Sequence, residues 1–311
     1  PDERLAAFDG WEQGLYAGLA EGEGGAAGDA ERIRRRARSI ARERLLAGGA
    51  PLAPAVPALS EIFRARRAEG ARVGLGWRFR LDDDRSLTAR AGHPIAAGGI
   101  GWRAAWTGPL AGPVDLEIEA YGDRLTDVGP WPGAAGLVST FGFVVRGEDF
   151  TDPWRRSGGS AAALVPVGDS RLRLGLTVES HRRAAAVAEP PGDDPVRPVR
   201  PVDPGELVGL SAAWREPLGR SLGTDWSAEI RAEGATGAVG DFGFTRVLAR
   251  VRARSGPTAS PWAWSLDAAA GLGGGDLPPQ RLLLVGGRGT VPGYAFRSWG
   301  GDRAGWLRVE A

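Results

Sequence analysis

The sequence predicts an all-β protein, an antiparallel β-barrel of the transmembrane kind. Three observations carry this. From Ala71 onward, short runs alternate apolar and polar residues with period two, as strands with one apolar and one polar face do. Glycine is abundant, and the 12 tryptophans sit near the ends of short runs, where interfacial anchors would lie; ordinary core packing is the plainer use of the same residues. No apolar run approaches the roughly 18 residues of a spanning helix, which excludes helical membrane proteins and leaves barrels, whose signal per segment is weaker.

Composition removes other classes. The formal charge of +1 leaves no basic footprint for nucleic acid. Every strongly basic residue is arginine, and asparagine is absent, a pattern of genome composition more than of function. Without cysteine there is no disulfide, thiolate nucleophile or Cys-ligated metal. The chain opens on Pro1-Asp2 with no methionine and no visible signal peptide, as a processed product or a piece of a longer protein would.

Residues 1–28 are acidic and rich in alanine and glycine. Asp29 caps an expected helix running to about Leu46, with Ile33, Ala37, Ile40 and Ala41 on one face and arginines around the rest. Such a helix binds anionic lipid or is simply a solvated surface helix, the more ordinary case. Gly48-Gly49 ends it, and Pro51, Pro54 and Pro57 keep the next stretch extended. Residues 60–70 then lead, through Arg66-Arg67-Ala68-Glu69-Gly70, into the first expected strand.

In that strand Val73, Leu75, Trp77, Phe79 and Leu81 alternate with Arg72, Gly74, Gly76, Arg78 and Arg80, and Asp82-Asp83-Asp84 makes the turn. Weaker alternation follows at 87–91 and 100–107, with Trp102 and Trp106 on one face. The clearest run is 114–121, where Val114, Leu116, Ile118 and Ala120 oppose Asp115, Glu117 and Glu119. Residues 122–156 break the pattern around an apolar stretch, 136–145. Alternation resumes at 160–167 and 172–178, gives way to a proline- and aspartate-rich excursion at 188–204, and returns at 207–214, 226–235, 242–254, 262–272, 281–285 and from Ala304. That makes about twelve strands. Alternation alone does not separate a soluble sandwich, with its charged face in water, from a barrel with its charged face toward a wet lumen.

Between the last two runs lies a glycine-dense loop: Gly286-Gly287-Arg288-Gly289-Thr290-Val291-Pro292-Gly293-Tyr294, then Arg297. The glycines after a strand invite a nucleotide-binding reading, but that motif needs a helix to open at once, and Pro292 and Gly293 oppose one. What remains is a long inter-strand loop using the backbone freedom of glycine.

This loop resembles the sixth extracellular loop of the BamA/TamA family of outer-membrane barrels, the bacterial surface antigen family, in which a Gly-Gly and a Val-Arg-Gly-Tyr/Phe tip precede the twelfth strand and the loop folds back into the lumen. Val291, Gly293 and Tyr294 match the tip, whereas Pro292 stands where the family has arginine. Arg288 or Arg297 could supply the missing charge. Glu310, on the next strand, is the candidate lumenal partner for Arg297. The arginine-rich stretch ending in Glu69-Gly70 is similar to the segment before strand one of some family barrels, and Asp149, Phe150, Asp152 and Trp154 loosely resemble the element before its fifth strand.

The resemblance implies a sixteen-strand barrel of which about twelve strands are present: residues 1–66 form a periplasmic-side segment, and 67–311 a barrel truncated after about strand twelve. It further implies an outer-membrane location, lipid as surroundings, and client outer-membrane or secreted proteins as partners. The alternatives are a porin-like passive channel with an arginine-rich lumen and a soluble all-β binding module that uses its tryptophans.

No catalytic chemistry and no cofactor are expected. His93 and His181 are far apart in polar, turn-like contexts and read as surface residues. There is no Gly-x-Ser-x-Gly elbow. Asp193-Asp194 lies in a proline-rich loop, and the aspartates at 82–84 lack the spaced oxygen ligands of a calcium loop.

Overall fold

The computed structural model describes residues 51–311, apart from 57, 132, 135, 169, 190–196, 222 and 256–262. The helix expected over 29–46 lies outside these residues. The elements, in order, are β1 (Leu52–Pro54), α1 (Leu59–Ile62), β2 (Phe63–Arg66), β3 (Gly70–Arg80), β4 (Ser86–Pro94), β5 (Gly101–Ala111), β6 (Val114–Asp127), α2 (Gly136–Arg146), β7 (Pro153–Val167), β8 (Ser170–Arg183), β9 (Gly205–Ser221), β10 (Thr224–Ala235), β11 (Phe244–Ser255), β12 (Ser265–Gly275), β13 (Leu283–Val285), β14 (Trp299–Gly301) and β15 (Arg303–Glu310).

The sheet is an antiparallel meander in the order β1-β3-β4-β5-β6-β7-β8-β9-β10-β11-β12-β15, with β2 also on β3, thirteen strands in all. Among the described residues β15 pairs only with β12, so no ladder closes the sheet. Tight links at 81–85 and 112–113 lie at one end of the sheet; the long connections that follow β6, β8 and β12 leave from the other.

Because side chains alternate along a strand, the register assigns every residue to one of two faces. Leu174 pairs with Ala163 and Ala212, Ala212 with Ala232, and Ala232 with Val247, an apolar row across five strands. On the other face Arg215 pairs with Glu229, Glu229 with Arg250, Arg250 with Ala269, and Ala269 with Trp306. Burial runs opposite to that of a water-soluble sheet. The apolar face is bare: Leu75 is 64% exposed, Leu210 68% and Leu307 63%. The polar face is covered where the long connections fold over it, around Asp152 and Glu179, while Arg171 and Arg215 farther along it stay exposed.

The count of about twelve strands holds, but by a different route. The run at 281–285, expected as the eleventh wall strand, is off the wall. β13 pairs with β14 in a separate hairpin (Leu283↔Gly301, Val285↔Trp299). Leu283 and Val285 pack with Trp131, Ala269 and Trp306 on the polar side of the sheet. The missing pass is β1 with β2. Both run antiparallel to β3, at Leu52↔Phe79 and Phe63↔Val73, separated by residues 55–62 with the single turn α1. The expected boundary at 66/67 therefore falls inside a hairpin, and the sheet begins before it. Counting β1–β2 as one interrupted pass, the glycine-rich loop still lies between the eleventh and twelfth.

The apolar stretch 136–145 is helix α2, with Thr140 Oγ1 donating to the Gly136 carbonyl (3.0 Å) and Phe143 buried. Its Phe141 and Val145 are 67% and 70% exposed. Tryptophan occurs in two settings. Trp131, Trp154 and Trp306 are buried, whereas Trp77 and Trp102 stand on the bare apolar face.

Leu283 is fully buried, so Leu283→Ala should destabilise the fold by about 2–5 kcal/mol through lost burial and a cavity. A urea-unfolding midpoint equal to that of the wild type would show that the β13–β14 hairpin is not part of the packed core.

Candidate functional site

The glycine-rich loop and the other long connections meet over the polar face, around two buried carboxylates. The first is Asp152, which has no exposed surface. Its Oδ1 accepts from Arg67 Nη2 at 3.0 Å and lies 2.9 Å from Arg197 Nη2; its Oδ2 accepts from Arg297 Nη1 at 3.2 Å, with Arg200 Nε at 3.7 Å. Arg297 also forks onto Asp127, Nη1 to Oδ1 at 2.7 Å and Nη2 to Oδ2 at 2.6 Å, the planar bidentate geometry that makes arginine–carboxylate pairs strong. Asp127 Oδ1 also accepts the Asp152 backbone N–H at 2.7 Å.

The residues arrive on several segments. Arg67 is in the turn between β2 and β3, Asp127 ends β6, Asp152 precedes β7, Arg197 and Arg200 lie between β8 and β9, and Arg297 lies between β13 and β14. Arg67 is itself 1% exposed. It donates to the carbonyls of Thr151 and Arg197, both at 2.7 Å, and its backbone N–H reaches Asp149 Oδ2 at 3.0 Å. Burial alone would raise the pKa of Asp152. The charges and hydrogen bonds of Arg197 and Arg297 outweigh it and hold the carboxyl below its ordinary value. Nearby, burial also opposes ionisation of Glu69, and the fork from Arg64 (2.7 Å at both oxygens) reverses the sign.

The second carboxylate is Glu179, 2% exposed on β8. It accepts from Arg156 Nη1 (3.0 Å), Arg281 Nη2 (2.9 Å) and Tyr121 Oη (2.5 Å), and it pairs with His181 Nε2 (2.8 Å). Gln280 Nε2 donates to the Asp203 carbonyl (2.9 Å) and meets His181 Nδ1 (3.0 Å). That leaves His181 Nε2 to donate to Glu179, so the arrangement is satisfied by a neutral ring. His181, expected at the surface, is 1% exposed between Trp154 and Phe242. The neighbourhood of Ser180 and Arg182 looks polar, but alternation turns His181 to the covered face. His93 is exposed, as expected, with Nδ1 2.6 Å from the Gly99 carbonyl.

The loop motif divides into an anchor and a tip. Gly286 has φ +122, and a Cβ there would lie 2.5 Å from the Ala295 carbonyl oxygen. Its N–H donates to Thr290 Oγ1 (2.8 Å), and its carbonyl accepts from the N–H of Arg297 (3.1 Å). Gly287 (φ +85) packs against Phe296. Val291 packs against the cluster around Leu283. Pro292, Gly293 and Tyr294 are exposed, Tyr294 stacking edge-on against Trp299 with centroids 4.6 Å apart.

Of the two arginines that could replace the family's tip arginine, Arg297 is the buried one. Arg288 is exposed, and its carbonyl accepts from Arg308 (3.0 Å), while Gly289 beside it is half-buried. Glu310 is not the partner of Arg297. It is exposed at the end of β15 and meets Arg308 at 3.3 Å. The residues that hold Arg297 are Asp127 and Asp152. The second stands in the Asp149–Trp154 element, and Arg67 stands in the stretch before Glu69-Gly70, so two of the three family-like segments meet the loop here.

No family model matches the sequence, and no curated protein does. Among solved structures, the chain is similar to BamA from Haemophilus ducreyi lacking POTRA domains 1–3, at 15% identity and a TM-score of 0.48, over 84% of this chain and 54% of that one. It is also similar to a bacterial polysaccharide outer membrane secretin, at 10% identity and a TM-score of 0.34, over 77% of this chain and 67% of that one. The chain thus spans about half the length of the BamA chain it matches.

Arg297→Ala strands two acidic partners in a buried site and should cost about 3–5 kcal/mol. In double-mutant cycles Arg297 should couple to Asp127 by more than about 0.5 kcal/mol and add independently with Glu310; the reverse pattern would refute the assignment.

The folded pKa of Asp152 is depressed, so its stabilisation is full above the unfolded value of about 3.9 and is lost as pH falls through the folded value. Pepsin should therefore reach the 286–298 loop only well below about pH 4. Loss of protection already above about pH 5 would show that a group other than Asp152 sets the acid limit.

Proposed function

We propose that this chain is the membrane-spanning β-sheet wall of an outer-membrane barrel protein, with its apolar face against lipid and its polar face toward a water-filled lumen. The observation that carries this is the inverted burial of the sheet: large aliphatics bare across the wall, carboxylates and guanidiniums covered and paired behind it. In water such a face is an aggregation hazard, and in a bilayer it is the matched surface. Antiparallel pairing satisfies the backbone within the wall, as a bilayer requires. Tight links at one end and long connections from the other, and the exposed Phe141 and Val145 of α2 at the long-connection end, fit the same setting.

Within that reading the finer role is insertion or export of other outer-membrane or secreted proteins, as in the BamA/TamA family. Its support is the loop: a Gly-Gly anchor, a Val-x-Gly-Tyr tip and an arginine held by acidic groups of the wall and its connections. The partners are outer-membrane lipid and client proteins, and the chain carries out no catalysis of its own. A porin-like channel is the second reading, favoured by the arginines along the polar face. Assisted insertion of an unfolded client barrel into liposomes, measured beside ion conductance in planar bilayers, separates the two.

A single substitution tests the membrane assignment. Leu174 is 45% exposed in mid-strand. Leu174→Arg should cost about 2–4 kcal/mol for a protein folded in lipid. In a water-soluble sheet the same exchange should change stability by no more than about 0.5 kcal/mol. A neutral result, or purification of the wild type as a folded monomer without detergent, would sink the assignment.

A further inference from the structure

Between the polar face of β8–β11 and Gly129–Pro130, just past the end of β6, lies a cavity of about 570 Å³ lined by seven arginines and two glutamates. The carboxylates that meet these arginines can be followed one by one. Arg171 lies 3.7 Å from Asp115, and Arg173 donates to Glu117 at 2.9 Å. Arg156 and Arg281 share Glu179. Arg215 and Arg231 share Glu229, at 3.1 and 2.6 Å. Arg246 pairs with Glu233 at 2.6 Å. Seven guanidiniums therefore face five carboxylates, an excess of two positive charges.

The hydrogen bonding is incomplete in the same place. The Nε–H groups of Arg156, Arg246 and Arg281 are buried without a hydrogen-bond partner, and so is Glu233 Oε1 among them. Glu233 Oε1 lies 3.7 Å from Arg281 Nε, beyond hydrogen-bond reach. Arg246 is only 6% exposed, so its donor has lost water as well. Buried polar groups are seldom left unpaired. The excess of two positive charges, with Arg171, Arg215 and Arg231 each more than half exposed along the cavity, fits a ligand with several acceptor oxygens and at least two negative charges. The sheet separates the cavity from the bare apolar face, so the ligand approaches from the aqueous side.

We propose that this cavity binds a compact, water-soluble, phosphate-bearing anion. The site rests on the polar face alone and stands whether or not the chain inserts client proteins.

The test is calorimetric titration of the full folded chain with pyrophosphate, at ionic strength held constant with chloride. Arg215→Gln and Arg231→Gln are the informative variants, because each leaves Glu229 with one arginine partner and neither side chain is buried. Saturable one-to-one binding is expected, weakened five- to tenfold or more in each variant and unchanged in Arg85→Gln, which lies in the exposed 81–85 turn. Absence of saturable binding, or equal affinity in all four proteins, would overturn the proposal. Displacement of pyrophosphate by phosphatidylglycerol in mixed micelles would assign the cavity to a lipid headgroup and overturn the soluble-anion reading.

Discussion

The covered side of the sheet depends on one desolvated carboxylate. Asp152 has no exposed surface, and burying a lone charge is costly enough that a protein ordinarily protonates the group or pairs it. Here four guanidiniums approach it from three different connections. They become mutually fixed because the carboxylate is satisfied only when they are together. Arg297 adopts φ +51, a left-handed backbone that a non-glycine residue holds only when its surroundings dictate it. The fork to Asp127 and the backbone bond to Gly286 supply that compulsion.

The sheet then has two interiors of different kinds. Behind it, paired ions and a small apolar cluster around Leu283 and Trp306 form a mixed core. In front of it the alanines and leucines have no protein partner, and the strands hold them in a smooth, low-polarity surface. Glu179 illustrates the division: its neighbours Val178 and Ser180 point the other way along β8, and its own oxygens take donors from β6, β7, β8 and the turn before β13. Small residues at Ala161, Ala212 and Ala232 keep the lipid-like face low, while the charged residues opposite are long enough to reach across strands.

Much of the wall was legible because alternation is a local property. The pairs Glu117/Ile118 and Arg246/Val247 declare their faces from sequence alone, and the register agrees. Two features were not local. The run 281–285 has the composition of a strand and forms one over Leu283–Val285, but whether a short apolar strand joins the wall or folds onto it depends on what lies beneath, here Trp131 and Trp306. The first pass was hidden by its own interruption, prolines and one helical turn between two short ladders. The ion cluster was less legible still. Arg297 and Asp127 are 170 residues apart, and nothing in a charge pattern says which of many carboxylates a loop will reach. The family-like elements around Arg67 and Asp152 were visible as motifs, but their convergence on the loop was not.

The two margins of the wall are chemically unequal. Flanking β1, residues 51 and 55 spend backbone groups on β3, through the Pro51 carbonyl and the Ala55 N–H. The groups of Leu52 and Pro54 therefore face outward, and Pro54 has no N–H to offer. Beyond it the ladder breaks into α1. An incoming strand would find about one donor before losing its template. The opposite margin, β15, runs unbroken from Arg303 to Glu310, with Leu307 and Val309 continuing the bare apolar face. The wall is thus a ribbon with a blunted selvedge and a live one. Among the described residues, backbone groups are therefore left for further pairing along the whole of β15 and only in fragments along β1.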